Sequence, residues 1–248
     1  MPLADSFTDL SWPTLLLVWL GAFVGGFASG AAGFALGIVA SAIWLHVLEP
    51  VHVTMLIVCG GTVIQLGTIW PQRRAIELQR LWPFLVAGLV GIPIGVALLV
   101  HVNTHALKVA LGLFLAAYGI FALLAPPLPH VGGGRLADAA IGFAGGVMGG
   151  LGGLSGVLPA IWTQLRGWPK EVARAVYQPF IVMAHVTTLV LIGTIALDRR
   201  GLALLAIALP ALLIGAMVGW RVYGRLDEQR FRQVLALMLV ASGVLLVF

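Results

Sequence analysis

Charged residues and cysteine are both scarce in this sequence, and each scarcity narrows what the protein can be. Only 9% of its 248 residues are charged, whereas a soluble domain carries about 25%. Because Cys59 is the single cysteine, the chain can form neither an intrachain disulfide nor a Cys-x-x-Cys metal or redox site. It also lacks an HExxH motif, a histidine cluster and a carboxylate pair within an apolar segment. We therefore predict no enzyme activity, no cofactor and no metal site.

Apolar residues are abundant instead. They make up 60% of the chain, and the mean hydropathy is +1.06. Runs such as Val53–Ile69 and Leu202–Trp220 approach or reach the roughly 20 residues that cross a bilayer. We predict a polytopic protein of the lipid bilayer. Its net charge of +5 comes from Arg and Lys in short loops, where charge sets membrane orientation, so we predict no nucleic-acid partner.

Two of the apolar segments have an unusual length. The segments lie at about 13–46, 53–70, 82–100, 106–125, 136–166, 172–197, 201–222 and 231–248. The first and fifth exceed 30 residues, which is too long for one crossing and too short for two crossings and a turn. Each contains a glycine-rich stretch near its middle. We predict that each is a pair of half-helices, with a new half-helix beginning near Ala31 and near Ser155.

The two long segments are also copies of each other. A shift of 120 residues superimposes Gly25, Gly26, Gly30 and Gly33 on Gly145, Gly146, Gly150 and Gly153. A shift of 124 superimposes Gly91, Gly95 and Gly119 on Gly215, Gly219 and Gly243. We therefore predict a duplication within one integral membrane domain, with repeats at 1–125 and 136–248 joined by a Pro/Gly-rich linker at 126–135.

The distribution of positive charge predicts how the repeats are oriented. If every segment crossed the membrane once, eight of the 14 Lys and Arg residues would lie on one side of the membrane and six on the other. If the two glycine-broken segments enter and leave on one side, the division becomes eleven against three, with Lys108, Arg199 and Arg200 as the minority. We predict an all-α fold of two inverted repeats, each with a re-entrant-like broken helix pair and three transmembrane helices. The location is then a bacterial inner membrane with both termini periplasmic.

The glycine-rich stretches admit two interpretations. Spaced pairs such as Gly26/Gly30 and Gly146/Gly150 match GxxxG, which lets helices pack closely. The denser "GGLGGLSG" at 149–156 favours a break that forms a substrate site, because irregular backbone at membrane depth needs surrounding protein or a water-filled cavity.

A half-helix that begins inside the membrane can bind an anion without a charged side chain. Its first amide groups have no intrahelical partner, and its dipole places positive partial charge there. Ser29 and Ser155 either add hydroxyl donors or act as N-caps. The predicted substrate-binding residues are Ser29, Gly30, Ala31, Gln65, Gly152, Gly153, Leu154, Ser155, Gly156 and His185.

The polar residues of the apolar segments agree with an anionic ligand. No Asp or Glu lies deep in any segment, although a cation carrier normally buries a carboxylate. Gln65 and His185 are equivalent under the 120-residue shift, as are Thr68 and Thr188. Gln65 and His185 are candidates to flank one ligand from opposite repeats, while an ordinary interhelical hydrogen bond explains His185 equally well. We predict that Cys59 fills space as a small apolar residue.

The sequence "GGLGGLSGVLPAIWTQLRGWPKEVARAVYQPF", from Gly149 to Phe180, resembles the second-repeat signature of the sulfite exporter TauE/SafE family of membrane anion permeases. The similarity extends over the whole length and includes a first-repeat glycine motif from Gly25 to Gly37. Ala31 and Ala32 occupy positions where family members often carry more glycine. The resemblance implies transport of small sulfur oxyanions or organosulfonates, usually outward.

We therefore expect a membrane transporter that exports a small anion, either sulfite or an organosulfonate such as sulfoacetate. The alternatives are a permease for thiosulfate, a carboxylate or a neutral metabolite, an intramembrane enzyme, and a structural subunit. The sequence leaves open the direction of transport, the coupling ion and whether the protein is a homodimer.

Overall fold

The computed structural model describes residues 11–124, 131–223 and 228–247. These residues form ten α-helices, one 3-10 helix at Arg73–Ala75 and no strand. The α-helices are α1 (Trp12–Ala32), α2 (Leu36–Trp44), α3 (Pro50–Gln72), α4 (Leu78–His101), α5 (Thr104–Leu124), α6 (Arg135–Gly152), α7 (Val157–Leu165), α8 (Lys170–Ala196), α9 (Arg199–Tyr223) and α10 (Glu228–Val247). Residues 126–130 of the predicted linker lie outside the described residues, and 131–134 lead into α6.

Within the described residues, five helices are long and apolar enough to cross a membrane. They lie in α1, α3, α4, α8 and α9, and shorter apolar stretches occupy His105–Phe121 of α5 and Ala236–Val247 of α10. The prediction of an all-helical multi-pass membrane protein is therefore confirmed. Its physical basis is that a helix satisfies every backbone hydrogen bond within its own segment.

Both long apolar segments are broken at a glycine with left-handed backbone. Gly33 follows α1 with φ 84°, and Gly153 follows α6 with φ 70°. Glycine adopts this conformation without steric cost, so the helix ends there. The Gly33 amide donates to Ser29 O at 2.7 Å, and the Gly153 amide donates to Gly149 O at 2.8 Å. The two breaks therefore have the same backbone hydrogen bond at positions 120 residues apart.

The predicted start of the second half-helix is wrong in the first repeat and right within two residues in the second. Helix α1 continues through Ala31 to Ala32, because the first residue that adopts the left-handed conformation is Gly33. Ser29, Gly30 and Ala31 therefore lie in the last turns of α1, and the new helix that the sequence predicted does not begin at them. The N-cap residues of α2 and α7 are Ala35 and Gly156, and neither cap has a side-chain hydrogen bond. The predicted N-cap roles of Ser29 and Ser155 are wrong.

Each broken segment folds back on itself as a helical hairpin. In the first, the Trp44 indole at the end of α2 donates to Val18 O near the start of α1, at 3.0 Å. In the second, the Trp162 indole of α7 donates to Asp138 Oδ1 near the start of α6, at 2.7 Å. Val18 and Asp138 are again 120 residues apart. The outer ends of each hairpin therefore lie side by side.

Equivalent helices of the two halves run antiparallel where they touch. Along α3 and α8, the contacts pair His52 with Asp198 and Thr68 with Gln178, so residue numbers rise in one helix and fall in the other. Along α5 and α10, Gly112 faces Gly243, and Gly119 faces Val240. The two halves therefore meet along α3/α8 and α5/α10.

The fourth helix of each half packs against the broken hairpin of the other half, and the spaced glycines allow the close approach. Helix α9 packs in parallel along α1, where Gly26 and Gly30 face the backbone carbonyls of Leu212 and Ala216. Helix α4 packs in the same way along α6. A Cβ atom at these glycines would collide with the facing backbone. The packing interpretation is therefore correct for Gly26/Gly30 and Gly146/Gly150, while Gly33 and Gly153 form the breaks.

Candidate substrate site

The two breaks lie against each other where the halves meet. Phe34 follows Gly33, and its Cβ lies 2.8 Å from the place that a Cβ on Gly156 would occupy. Leu154 follows Gly153, and its Cδ2 lies 2.9 Å from the corresponding place on Gly37. Each break thus covers the beginning of the short helix of the other repeat.

Gln65 and His185 make equivalent contacts with the two breaks. The Gln65 Nε2 donates to Gly33 O at 2.5 Å, and the His185 Nε2 lies 3.4 Å from Gly153 O. Both side chains are buried. Because a carbonyl oxygen only accepts, the His185 Nε2 must carry the hydrogen. The structure thus places each side chain at the break of its own repeat.

The first break is held by polar side chains. The Arg174 Nη2 donates to Ala31 O at 2.7 Å, the Tyr177 hydroxyl donates to Ala32 O at 3.1 Å, and Gln65 donates to the carbonyl of the next residue. The last carbonyls of a helix have no intrahelical partner, and a cation near them also interacts favourably with the helix dipole. These three side chains therefore donate hydrogen bonds to the carbonyls that have no partner within α1.

Two further side chains extend this arrangement into a hydrogen-bonded chain. The Gln178 Nε2 lies 3.3 Å from Thr68 Oγ1, which in turn lies 3.2 Å from Gln65 Oε1. Because Gln65 Nε2 donates to a carbonyl, its Oε1 accepts from the Thr68 hydroxyl, and the Thr68 oxygen accepts from Gln178. The chain connects α8, α3 and the first break.

The prediction that the Arg and Lys residues lie in short loops is wrong for Arg174. It lies in α8, which begins at Lys170, and only 4% of its surface is exposed. Arg174, Tyr177 and Gln178 follow the i, i+3, i+4 spacing, so they share one face of α8. A polar face at the start of an otherwise apolar helix was the signal that could have identified all three residues.

At the second break, two of the three equivalent positions carry apolar side chains. The residues 120 positions before Arg174, Tyr177 and Gln178 are Thr54, Ile57 and Val58. The place of a Cβ on Gly153 lies 3.0 Å from Ile57 Cβ and 3.7 Å from Val58 Cγ1. The end of α6 is therefore packed by α3 without the polar side chains that hold the end of α1.

Four buried polar side-chain atoms have no hydrogen-bond partner among the described residues. Gln178 Oε1 lies beside the first break, and the other three, Ser155 Oγ, His185 Nδ1 and Thr188 Oγ1, lie beside the second. Ser155 Cβ and Ala184 Cβ lie 2.8 and 3.6 Å from the place of a Cβ on Gly149, so Ser155 adjoins the turn of α8 that carries His185 and Thr188. Buried polar atoms are nearly always hydrogen-bonded, and an unsatisfied one costs about 1–3 kcal/mol. Such atoms mark a place where a ligand or water is expected to bind.

Asp138 and Arg174 are the buried Asp, Glu, Lys or Arg side chains of the described residues, and Arg174 donates to Ala31 O at the first break. Asp138, the carboxylate of the two, bonds to Arg166 at 2.9 Å near the start of α6. No group of three His, Cys, Asp or Glu residues in the described chain is placed to hold a metal ion. Cys59 packs against the apolar core from α3. The cluster beside Gly153 thus consists of uncharged polar groups and backbone.

The comparisons with known proteins gave one match. The family model described as sulfite exporter TauE/SafE matches residues 18–246, which is nearly the whole chain. No curated protein and no solved structure matched the chain in the same comparisons.

Proposed function

Because the chain belongs to the sulfite exporter TauE/SafE family, whose members are membrane transporters of sulfur anions, we propose that it exports sulfite or an organosulfonate such as sulfoacetate across a bacterial inner membrane. A membrane potential that is negative inside favours outward movement of a monoanion by about 2.3 kcal/mol per 100 mV. Export of such an anion therefore needs no further energy source.

The observation that carries this proposal is the group of unsatisfied polar atoms beside Gly153. An anion placed there would accept hydrogen bonds from the hydroxyls of Ser155 and Thr188. At the start of α7 the Val157 amide donates to Leu154 O and Pro159 has no amide hydrogen, so the amides of Ser155, Gly156 and Leu158 are the ones without a backbone partner among the described residues. The dipole of that helix favours negative charge at its start. We place the ligand against residues Gly152 to Gly156, with His185 and Thr188 on the opposite side.

We assign the first break a scaffolding role, which changes the expected set of ligand contacts. Gly30 packs against the Ala216 carbonyl, and the Ala31 carbonyl accepts from Arg174. Both are therefore occupied by protein contacts, and with Ser29 they lie within α1. Gln65 supports the ligand site indirectly, because it fixes the position of Gly33 and hence of Phe34 over the start of α7.

We also propose that the repeats are inverted and that each hairpin enters and leaves on one side of the membrane. Three features support this orientation: the antiparallel contact of α3 with α8, the antiparallel contact of α5 with α10, and the adjacent outer ends of each hairpin. The end that holds Arg80, Arg135 and Arg166 would then face the cytoplasm, because positive residues are enriched there. Both termini would be periplasmic.

Ligand-induced stabilisation of the purified protein tests the proposed substrate. Sulfite, sulfoacetate, thiosulfate and a carboxylate of similar size would each be added at increasing concentration while thermal unfolding is recorded. A ligand that binds only the folded protein raises the unfolding temperature, and at a given concentration a tighter ligand raises it more. We expect sulfite or sulfoacetate to give the largest shift and Ser155→Ala to reduce it. A larger shift with the carboxylate would contradict the proposed specificity.

Cysteine labelling tests the proposed orientation. In a Cys59→Ala background, cysteines would replace Arg74, Glu171, Asn103 or Arg200, all of which are exposed. We expect an impermeant thiol reagent to reach positions 74 and 171 from the cytoplasmic side and positions 103 and 200 from the periplasmic side. Labelling of 74 and 171 from opposite sides would contradict the inverted arrangement and indicate parallel repeats.

A further inference from the structure

A groove on the outer surface runs between α4 and α6, away from the two breaks. Its volume is about 240 Å³, and the residues that line it include Trp82, Val86, Val90, Arg135, Leu136 and Ala139. Trp82 is 45% exposed and Leu136 is 88% exposed. In a protein that crosses a bilayer, such a surface faces lipid chains and not water. Arg135 is the charged residue of this groove.

The charge of Arg135 is not balanced by a neighbouring carboxylate. Two other arginines at this end of the molecule form ion pairs, Arg80 with Glu77 at 2.6 Å and Arg166 with Asp138 at 2.9 Å. In the described part of the chain, no carboxylate forms an ion pair with Arg135. Its guanidinium carbon lies 5.9 Å from the centre of the Trp82 ring. The mouth of the groove therefore has a net positive charge next to an aromatic ring.

The backbone beside Arg135 adds to this positive potential. Helix α6 begins at Arg135, and the first amide of that helix to find a backbone partner is that of Asp138, which donates to Gly134 O at 3.1 Å. The preceding amides are therefore available to an external acceptor. A Cβ on Gly134 would meet no atom within 4 Å, so the approach to this helix end is open.

The equivalent surface of the other half lacks these features. Arg135 and Leu136 correspond to Leu15 and Leu16 under the 120-residue shift, and Trp82 corresponds to Ala206 under the shift of 124. These positions of the α1/α9 contact therefore carry neither an arginine nor a tryptophan. The pairing of Arg135 with Trp82 is thus not repeated at the equivalent positions of the other half.

We propose that this groove binds an anionic phospholipid, with one acyl chain along Val86 and Val90 and the phosphodiester group at Arg135. Apolar surface receives the chain, while the guanidinium and the free amides of α6 receive the phosphate oxygens. Because α4 and α6 belong to different repeats, the bound lipid contacts both halves at their joint. Occupancy should therefore stabilise the packing of one half on the other.

Lipid binding to the purified full-length protein tests the proposal. Dioleoyl phosphatidylglycerol, dioleoyl phosphatidylcholine and inorganic phosphate would be added in detergent, with bound lipid measured by native mass spectrometry and stability by thermal unfolding. We expect phosphatidylglycerol to bind about fivefold more tightly than phosphatidylcholine, the ratio expected for one arginine facing an anionic lipid. Inorganic phosphate alone should have no effect, because it lacks the chain.

Matched variants separate the headgroup from the chain. Arg135→Gln should remove the preference for phosphatidylglycerol, Arg135→Lys should retain it in part, and Arg221→Gln, an exposed arginine at the end of α9, should leave it unchanged. Ala87→Trp fills the groove while Arg135 remains, and it should reduce the binding of both lipids. Equal affinity of the wild type for the two lipids would overturn the proposal, and so would an Arg135→Gln variant with unchanged preference.

A second copy of the chain is the competing occupant of this surface. Cysteine in place of the highly exposed Leu136, in the Cys59→Ala background, would form an intermolecular disulfide under mild oxidation if two copies met here. We expect the chain to stay monomeric under these conditions in the presence of phosphatidylglycerol. Efficient cross-linking at this position would overturn the lipid assignment.

Discussion

The two breaks of this protein share a backbone and differ in the side chains around it. In both, a left-handed glycine ends the long helix, and a side chain 32 residues later contacts that glycine's carbonyl. Around Gly33, the polar residues Arg174 and Tyr177 satisfy the end of α1. Around Gly153, Ile57 provides apolar packing, and polar atoms nearby remain unsatisfied. The comparison shows that a duplicated scaffold can keep its backbone geometry while the side chains around it diverge. In our proposal, the first copy is structural and the second holds the ligand.

The largest expected difference between the breaks concerns their glycines. Gly153→Val should reduce the free energy of unfolding by about 3 kcal/mol or more, because a left-handed residue costs roughly 1–2 kcal/mol and overpacking against Ile57 adds about 1–3 kcal/mol. Gly33→Val should cost less, since the place of its Cβ lies 3.0 Å from Gln178 Nε2 and 3.2 Å from the Tyr177 hydroxyl oxygen, whereas the place on Gly153 lies 2.5 Å from Ile57 Cγ2. Denaturation of the purified proteins by SDS measures both.

Gly152→Ala is the control for these glycine variants. Gly152 is helical, and its nearest neighbour would lie 3.7 Å from an added Cβ, so stability should be unchanged or rise by up to about 1 kcal/mol. Equal losses at 33 and 153 would show that the surroundings of the breaks do not differ as described. Gly153→Val changes folding too strongly to serve as a test of substrate binding.

Removal of the Arg174 guanidinium should have the next largest effect on stability. Arg174→Met leaves the Ala31 carbonyl without its charged donor, and a hydrogen bond to a charged group contributes about 1.5–3 kcal/mol. We expect a loss of stability of that size, measured by thermal unfolding, while sulfite or sulfoacetate still binds the folded fraction with the affinity of the wild type. Loss of binding with unchanged stability would place the ligand at the first break instead.

Removal of the unsatisfied hydroxyls should have a smaller effect, on binding and not on stability. Ser155→Ala and Thr188→Val should each weaken ligand binding by about 0.5–1.5 kcal/mol, the contribution of one hydrogen bond. Stability without ligand should stay the same or increase, because an unsatisfied buried atom is removed. Thr68→Val is the matched control at the first break, where Thr68 has partners, and it should lower stability instead. Calorimetry and thermal unfolding together distinguish the two patterns.

The smallest expected effect concerns the ring of His185. Its Nδ1 is an acceptor when the ring is neutral and a donor when the ring is protonated, so the affinity for an anion should increase as pH falls. We expect a rise of about twofold between pH 8 and pH 5, less than the full difference between neutral and charge-assisted hydrogen bonds, because burial of the ring disfavours its charged form. The ligand should be a sulfonate that stays singly charged over this range.

His185→Gln is the control for the pH experiment. Glutamine at this position can donate to Gly153 O as Gln65 donates to Gly33 O, so the fold should be retained and the pH profile should become flat. A wild-type profile as flat as that of the variant would reduce His185 to an interhelical hydrogen bond.

Much of the fold could be predicted because its signals are local in sequence. Segment length and hydropathy gave the helices, and glycine spacing gave the duplication and the two interrupted segments. The predicted break near Ala31 was wrong because glycine density does not show which glycine adopts the left-handed conformation. Gly30 stays helical and packs against Ala216 of α9, a residue more than 180 positions later in the chain. Arg174 was misplaced because a positive residue at a helix end looks the same whether it faces water or the end of another helix.

The sequence by itself determined that this chain is a helical membrane protein built from two related halves, because length, hydropathy and internal repetition are properties of the chain alone. The tertiary structure decided that α4 packs on α6 and α9 on α1, each on a helix of the other half, and that the two breaks are in contact. It also decided that the carbonyls of the first break accept from Arg174, Tyr177 and Gln65, while three of the four unsatisfied polar atoms of the described residues lie beside the second break. The physical reason is that hydrogen-bond satisfaction depends on which groups are brought together from distant segments, and no local pattern contains that information.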